Sequence, residues 1–252
     1  MNDLFIGSGG FTGIKFIGAL EYLHTNKMLD LKNFYGCSIG SLIGILYISG
    51  YKPIDILEMF NDFDLKSLTS FDLNNVKKNY IIDNKLLDSL LKPLLDKYEK
   101  QITLKDFSVK TGVNINIICT DITNMKCINF NNVSNPDIKL TDAIKASMTV
   151  PFIFEPVKIG NTEYIDGAIH NRYGNHPDDK YILGYIIISK IKEDSYLNKL
   201  FNMVQCKKKP RGYCIIECET INEIDKIKDL DKKFVYKHYK SGIENAREQI
   251  FK

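Results

Sequence analysis

The chain has 252 residues, of which 44% are hydrophobic and 26% charged, with a formal net charge of +3. That length is enough for one sizeable core, and that composition excludes a disordered or fibrous polymer. The charge is too small to argue for a nucleic-acid partner.

Leu4-Phe5-Ile6 reads as a short strand entering Gly7-Ser8-Gly9-Gly10, followed by a helix from about 13 to 26 with Ile14, Ile17, Leu20 and Leu23 on one face. A second strand over 34–37 leads into a second helix over 39–50. Pro53 opens a third helix as its first-turn residue, with Ile56, Leu57 and Phe60 as its apolar stripe. Residues 84–99 form an amphipathic helix with Leu at 86, 87, 90, 91, 94 and 95, and Pro93 should kink it. We read 64–100 as an insertion that either caps the site or packs as a peripheral helix pair.

Residues 113–119 read as a strand, with 126–129 pairing to it, and 141–148 as a helix stopped by Val150-Pro151. Gly160-Asn161 joins strands at 156–159 and 163–165 as a hairpin. Residues 181–189 and 213–218 read as strands, 193–205 and 233–251 as helices. The strand–helix alternation predicts a three-layer α/β/α sandwich around a mostly parallel central sheet. No linker interrupts it, so 1–252 is expected to be a single domain.

Six cysteines, at 37, 119, 127, 206, 214 and 218, form no Cys-x-x-Cys pair and no metal spacing with the four histidines. Several lie in apolar strand-like runs, which favours a reducing compartment. With Asp3 near the start and no cationic, apolar, cleavable opening, a cytoplasmic chain is expected. The basic run Lys207-Lys208-Lys209-Pro210-Arg211 reads as a solvated loop or as a point of contact with anionic lipid head groups, peripheral to a membrane.

Gly36-Cys37-Ser38-Ile39-Gly40 stands where the second strand meets the second helix. A serine between glycines at such a turn is a nucleophile elbow, because the backbones approach too closely for a Cβ. The alternative is Ser38 as a simple helix N-cap. A nucleophilic serine needs a base and donors for an oxyanion. Gly9 and Gly10 sit where backbone amides can form an oxyanion hole or a phosphate cradle. Neither the dinucleotide nor the P-loop pattern fits this loop. Among the histidines, His24 and His238 read as exposed and His176 lies in a polar stretch. His170 follows Tyr164-Ile165-Asp166-Gly167-Ala168-Ile169 and is a candidate base. Asp166-Gly167 alone reads as a turn dipeptide.

Three motifs stand in order: Ser8-Gly9-Gly10-Phe11-Thr12-Gly13, the Gly36–Gly40 elbow, and Asp166-Gly167-Ala168. With Ala146-Ser147-Met148-Thr149-Val150-Pro151 ahead of the aspartate and Asn171 after it, residues from about 4 to 190 resemble the patatin-like phospholipase family. The resemblance implies a lipid acyl hydrolase with a Ser38–Asp166 dyad, oxyanion amides from Gly9 and Gly10, and no metal or organic cofactor. The implied partner is a phospholipid or other acyl lipid, met by transient membrane-surface contact. Thr12 stands where the family usually carries arginine or lysine, and Lys15, one turn on, either compensates or is an ordinary surface lysine. For aspartate to serve as base, Asp166 must lie within hydrogen-bond reach of Ser38 in a partly desolvated site. Two rivals remain: an α/β-hydrolase-type esterase using Ser38, Asp166 and His170, and a lipid-binding protein without activity. Cys37 as nucleophile is disfavoured, since the elbow buries the serine's neighbour.

Overall fold

The computed structural model describes residues 1–62, 84–98, 102–170, 184–190, 213–219 and 232–250. Strand β1 (Asp3–Ile6) leads through a 3-10 turn (Gly10–Thr12) to helix α1 (Gly13–Thr25). β2 (Asn33–Cys37), α2 (Ile39–Ile48) and α3 (Pro53–Asp62) follow. Then come α4 (Lys85–Lys97), α5 (Leu104–Thr111), β3 (Asn114–Asp121), β4 (Lys126–Asn131) and α6 (Leu140–Met148). β5 (Val157–Ile159) and β6 (Thr162–Asp166) form a hairpin turned by Gly160 at φ +62°, and a 3-10 turn spans Gly167–Ile169. β7 (Gly184–Lys190), β8 (Tyr213–Glu219) and α7 (Lys232–Ile250) complete the described chain.

The fold is α/β. Its eight-stranded sheet has the order β5-β6-β3-β2-β1-β7-β8, with β4 also paired to β3. The pairs from β3 through β2, β1 and β7 to β8 are parallel, and those among β3, β4, β5 and β6 are antiparallel. Side chains alternate between two faces, as period-two geometry requires. Leu4, Ile6, Phe34, Ile115, Ile117 and Ile187 join the large core formed with the described helices. Phe5, Tyr35, Cys37, Ile118, Ile186 and Ile188 form a second apolar cluster on the other face.

Helices α1 and α7 meet across two glycines. A Cβ on Gly18 would lie 2.0 Å from the Tyr239 carbonyl oxygen, and one on Gly242 would lie 2.0 Å from that of Lys15. This crossing explains two departures from the sequence reading. Lys15 and His238, expected at the surface, are both buried, because each lies on a helix whose neighbour comes to backbone contact. Near Lys15 is Cys218 of β8: burial raises the thiol to about 12, and the Lys15 charge opposes that rise.

The described part of the 64–100 segment is helix α4, which continues through Pro93. Leu87, Leu91 and Leu94 enter the main core, and the Tyr51 hydroxyl donates to the Pro93 carbonyl at 3.2 Å. A Lys145–Asp88 ion pair ties α4 to α6. Helix α5 was not foreseen. Its signals are ordinary ones: the Thr103 hydroxyl accepts from the Asp106 amide, and Gly112 closes the helix at φ +71°. The expected helix at 193–205, His176, Asn171 and the basic run at 207–211 lie outside the described residues.

Gly18→Ala should force the two helices apart. Overpacking against backbone costs about 1–3 kcal/mol, so denaturant unfolding should show a lowered midpoint. A midpoint equal to wild type would mean that the crossing relaxes freely.

Candidate active site

The register of β3 sets the site. Along one edge β3 pairs with β4 from Asn116 to Asp121. On the other edge it pairs first with β2, ending at Cys37↔Ile118, and then with β6, beginning at Cys119↔Asp166. Two strands thus share one edge end to end, and the last residues of both arrive at adjacent rungs. Ser38 follows directly after Cys37, so the serine and the aspartate meet although 128 positions separate them in sequence.

Ser38 itself has φ +54° and ψ −132°, a region that non-glycine residues rarely occupy. Such a conformation costs on the order of 1–3 kcal/mol and persists only when neighbours hold it. They do so here at each backbone group. The Ser38 amide donates to the Ser147 hydroxyl at 2.9 Å, which in turn donates to the Ile118 carbonyl at 2.7 Å. The Ser38 carbonyl accepts from the Ser41 hydroxyl at 2.6 Å and the Ser41 amide at 2.9 Å.

Gly36 and Gly40 are required by contact. A Cβ on Gly36 would lie 2.6 Å from the Ser41 Cα, and one on Gly40 would lie 2.2 Å from the Ile6 carbonyl oxygen and 2.5 Å from that of Gly7. The second contact seats the glycine loop against the elbow. In that loop Gly10 has φ +50° and the Thr12 amide donates to the Gly9 carbonyl at 2.9 Å. Thr12 is buried, and Lys15 lies in the α1–α7 crossing near Cys218.

Asp166 is only 4% exposed. Burial raises its pKa from the usual carboxylate range to about 6, opposed by hydrogen bonds from the Ser38 side chain, the Ala168 amide and the Cys37 thiol. The Ala168 amide donates at 2.9 Å, and the Cys37 Sγ lies 3.9 Å from Oδ1. Its own amide donates to the Thr149 carbonyl at 2.8 Å, and its carbonyl accepts from the Thr120 hydroxyl at 3.0 Å. A Cβ on Gly167 would meet the Ile118 carbonyl oxygen at 2.4 Å, so this glycine lets the turn close on β3. Cys37 is fully buried, and burial first, then the Asp166 charge, pushes its thiol well up, which makes it a poor nucleophile.

Of the sequence candidates, Ser38, Asp166 and the Gly9–Gly10 loop are therefore brought together. His170 is exposed at the end of the 3-10 turn, and the Asp166 carboxylate takes its hydrogen bonds elsewhere. His24 is exposed at the far end of α1 and contacts the Tyr47 hydroxyl at 3.1 Å. Sequence reasoning missed Ser147 and Ser41, which hold the elbow; no spacing rule marks a serine that acts through a backbone amide on another element.

A family model for patatin-like phospholipases matches residues 4–176. The chain belongs to the patatin-like phospholipase family. Within that family, it is 30% identical over 178 residues to a probable lipid hydrolase, 463L, of Invertebrate iridescent virus 6, covering 68% of this chain and 60% of the relative. The chain thus spans about 60% of the length of the curated relatives it matches. By structure, this patatin-like chain is similar to VipD from Legionella pneumophila, with a TM-score of 0.59 at 13% identity over 99% of this chain and 66% of that one. It is also similar to the type III effector ExoU of Pseudomonas aeruginosa, with a TM-score of 0.55 at 14% identity over 99% of this chain and 52% of ExoU. These two likenesses concern the fold.

Two measurements probe the site. Ser147→Ala would leave the buried Ser38 amide without its acceptor, at a cost of about 1–3 kcal/mol. Denaturant unfolding should register that loss, and an unchanged midpoint would show that the elbow holds without Ser147. For Asp166 the folded pKa lies above the unfolded one, so stability is lost as pH rises from about 4 to about 6. The penalty at higher pH is on the order of 3 kcal/mol. Asp166→Asn should therefore raise the melting temperature more at pH 8 than at pH 4, and an equal change at both would contradict a buried, ionised carboxylate.

Proposed function

We propose that this protein hydrolyses acyl esters of lipids, as a phospholipase A-type or nonspecific lipid esterase, through a Ser38–Asp166 dyad. The observation that carries this reading is the juxtaposition of Ser38, held on a strained elbow, with the buried carboxylate of Asp166, which the register of β3 brings to the adjacent rung and whose pKa burial raises to about 6. A carboxylate at its ordinary pKa is a weak base near neutrality; one raised to about 6 is better matched to taking a serine proton. Family membership and a relative named as a probable lipid hydrolase support the lipid substrate class.

In this mechanism the Ser38 Oγ attacks the ester carbonyl as its proton passes to Asp166. The oxyanion forms beside the Gly9 and Gly10 amides, whose loop abuts the elbow. The leaving alcohol takes the proton from Asp166, which leaves an acyl group on Ser38. Water then attacks that acyl group as Asp166 accepts its proton, and the fatty acid departs as Ser38 is reprotonated. The chain thus acts as a serine carboxylic-ester hydrolase. No histidine enters the cycle. Thr12 supplies no cation near the loop, and Lys15 is committed to the α1–α7 crossing, which favours a site indifferent to head-group charge.

Fatty-acid release should be assayed on a panel of phospholipids, triacylglycerols and short esters. Ser38→Ala and Asp166→Asn should each remove turnover by at least about a thousandfold, and His170→Ala should leave it near wild type. The acid limb of kcat/KM should fall with an apparent pKa of about 6. Collapse of activity in His170→Ala would favour a histidine-dependent esterase, and turnover retained in Ser38→Ala would end the dyad reading.

A further inference from the structure

Two exposed apolar tips flank the strand that carries Asp166. The first is the turn after Pro151. Phe152 is 77% exposed at φ +66°, and Ile153 beside it is 40% exposed. The second is Met125, 79% exposed at φ +52°, at the tip of the β3–β4 turn. β6 has β3 on one edge and β5 on the other. The Met125 turn leaves β3 at the Thr162 end of β6, and the Phe152 turn leads into β5 from the Asp166 end, so the tips lie along opposite edges of the strand that carries Asp166.

A large apolar side chain at positive φ in water is unfavourable twice over, once in the backbone and once in hydration. Neither penalty is relieved by packing against the described residues. The Phe152 turn is nevertheless built. The Ile153 and Phe154 amides both donate to the Val150 carbonyl, at 3.2 and 3.0 Å, and Phe154 is pinned in the main core. The Asn84 side-chain amide holds the next carbonyl, that of Glu155, at 2.8 Å. Upstream, the Thr149 carbonyl takes the Asp166 amide at 2.8 Å. Phe152 lies three positions past Thr149, a reach of about 11 Å at most. On the other side, the Ile122 amide donates to the Glu163 carbonyl at 3.0 Å and joins the Met125 turn to β6. Strain at two exposed apolar tips, each tied by hydrogen bonds to the strand of Asp166, suits seating on an apolar phase.

We propose that Phe152, Ile153 and Met125 insert into the surface of aggregated phospholipid and so dock the Ser38–Asp166 pair on the bilayer; this rests on the acyl-lipid reading above. The glycine exchanges make a discriminating test, because glycine relieves positive φ while removing the apolar side chain. Phosphatidylcholine vesicles carry no net charge, so their binding reports insertion rather than attraction to anionic lipid. Wild type should cosediment with these vesicles. The Phe152→Gly/Met125→Gly variant should partition at least about tenfold more weakly, with a melting temperature equal to or above wild type. Its fatty-acid release from vesicles should fall in parallel, with turnover of a dispersed short-chain ester kept within about twofold. Val109→Ser removes an equally exposed residue on α5, which precedes the opposite end of β3, and should change none of these.

Vesicle binding by the double variant equal to wild type overturns the proposal, as does wild type that ignores the vesicles. Equal loss on vesicles and on the dispersed ester overturns it too. Ser38→Ala should bind vesicles as wild type does. A wild-type protein that seats through these tips yet releases no fatty acid would uphold the docking and overturn the hydrolase reading.

Discussion

One edge of β3 accommodates two strands in succession, and the site depends on that. β2 runs parallel to β3 and stops at Ile118; β6 runs antiparallel and starts pairing at Cys119. The junction between them is the only place on this edge where two strand ends of opposite direction abut. A serine leaving one end and an aspartate closing the other are forced into contact. Ser147 connects to the same junction, because its hydroxyl links the Ser38 amide to the Ile118 carbonyl. Gly167 folds against that carbonyl from the other side. A one-residue slip of β6 would turn Asp166 to the opposite face and dissolve the pair.

The same junction sets the chemistry. Closing the elbow and the 3-10 turn on β3 leaves Asp166 almost without water, and desolvation outweighs three hydrogen bonds in raising its pKa to about 6. The fold therefore holds both an unfavourable backbone at Ser38 and an unfavourable charge at Asp166. Each costs stability, each has a use in the proposed mechanism, and the surrounding core is large enough to carry them. No helix among the described residues is long and apolar enough to cross a membrane.

Much of this was legible in the sequence, and what was not has identifiable causes. Periodicity located the main strands and helices, since alternating and 3.6-fold patterns follow directly from which face is buried. Glycine spacing located the elbow, because Gly36 and Gly40 answer to local backbone contacts. The meeting of Ser38 with Asp166 was legible only through family resemblance: it arises from a strand register, which leaves no periodic trace. Lys15 and His238 were misplaced at the surface because a helix that crosses another on glycine buries even its polar positions. Helix α5 was overlooked although Thr103, Asp106 and Gly112 mark its ends. The role of Ser147 could not be read at all, as it depends on Ser38 and Ile118, remote in the chain.

The central claim is that Ser38 is a nucleophile activated by Asp166. Covalent labelling with a fluorophosphonate, read by peptide mass spectrometry, tests it most directly. A single adduct on Ser38, formed far more slowly in Asp166→Asn and unchanged in rate in His170→Ala, is the predicted result. An adduct on another residue, or labelling of Ser38 that ignores the loss of Asp166, would contradict it.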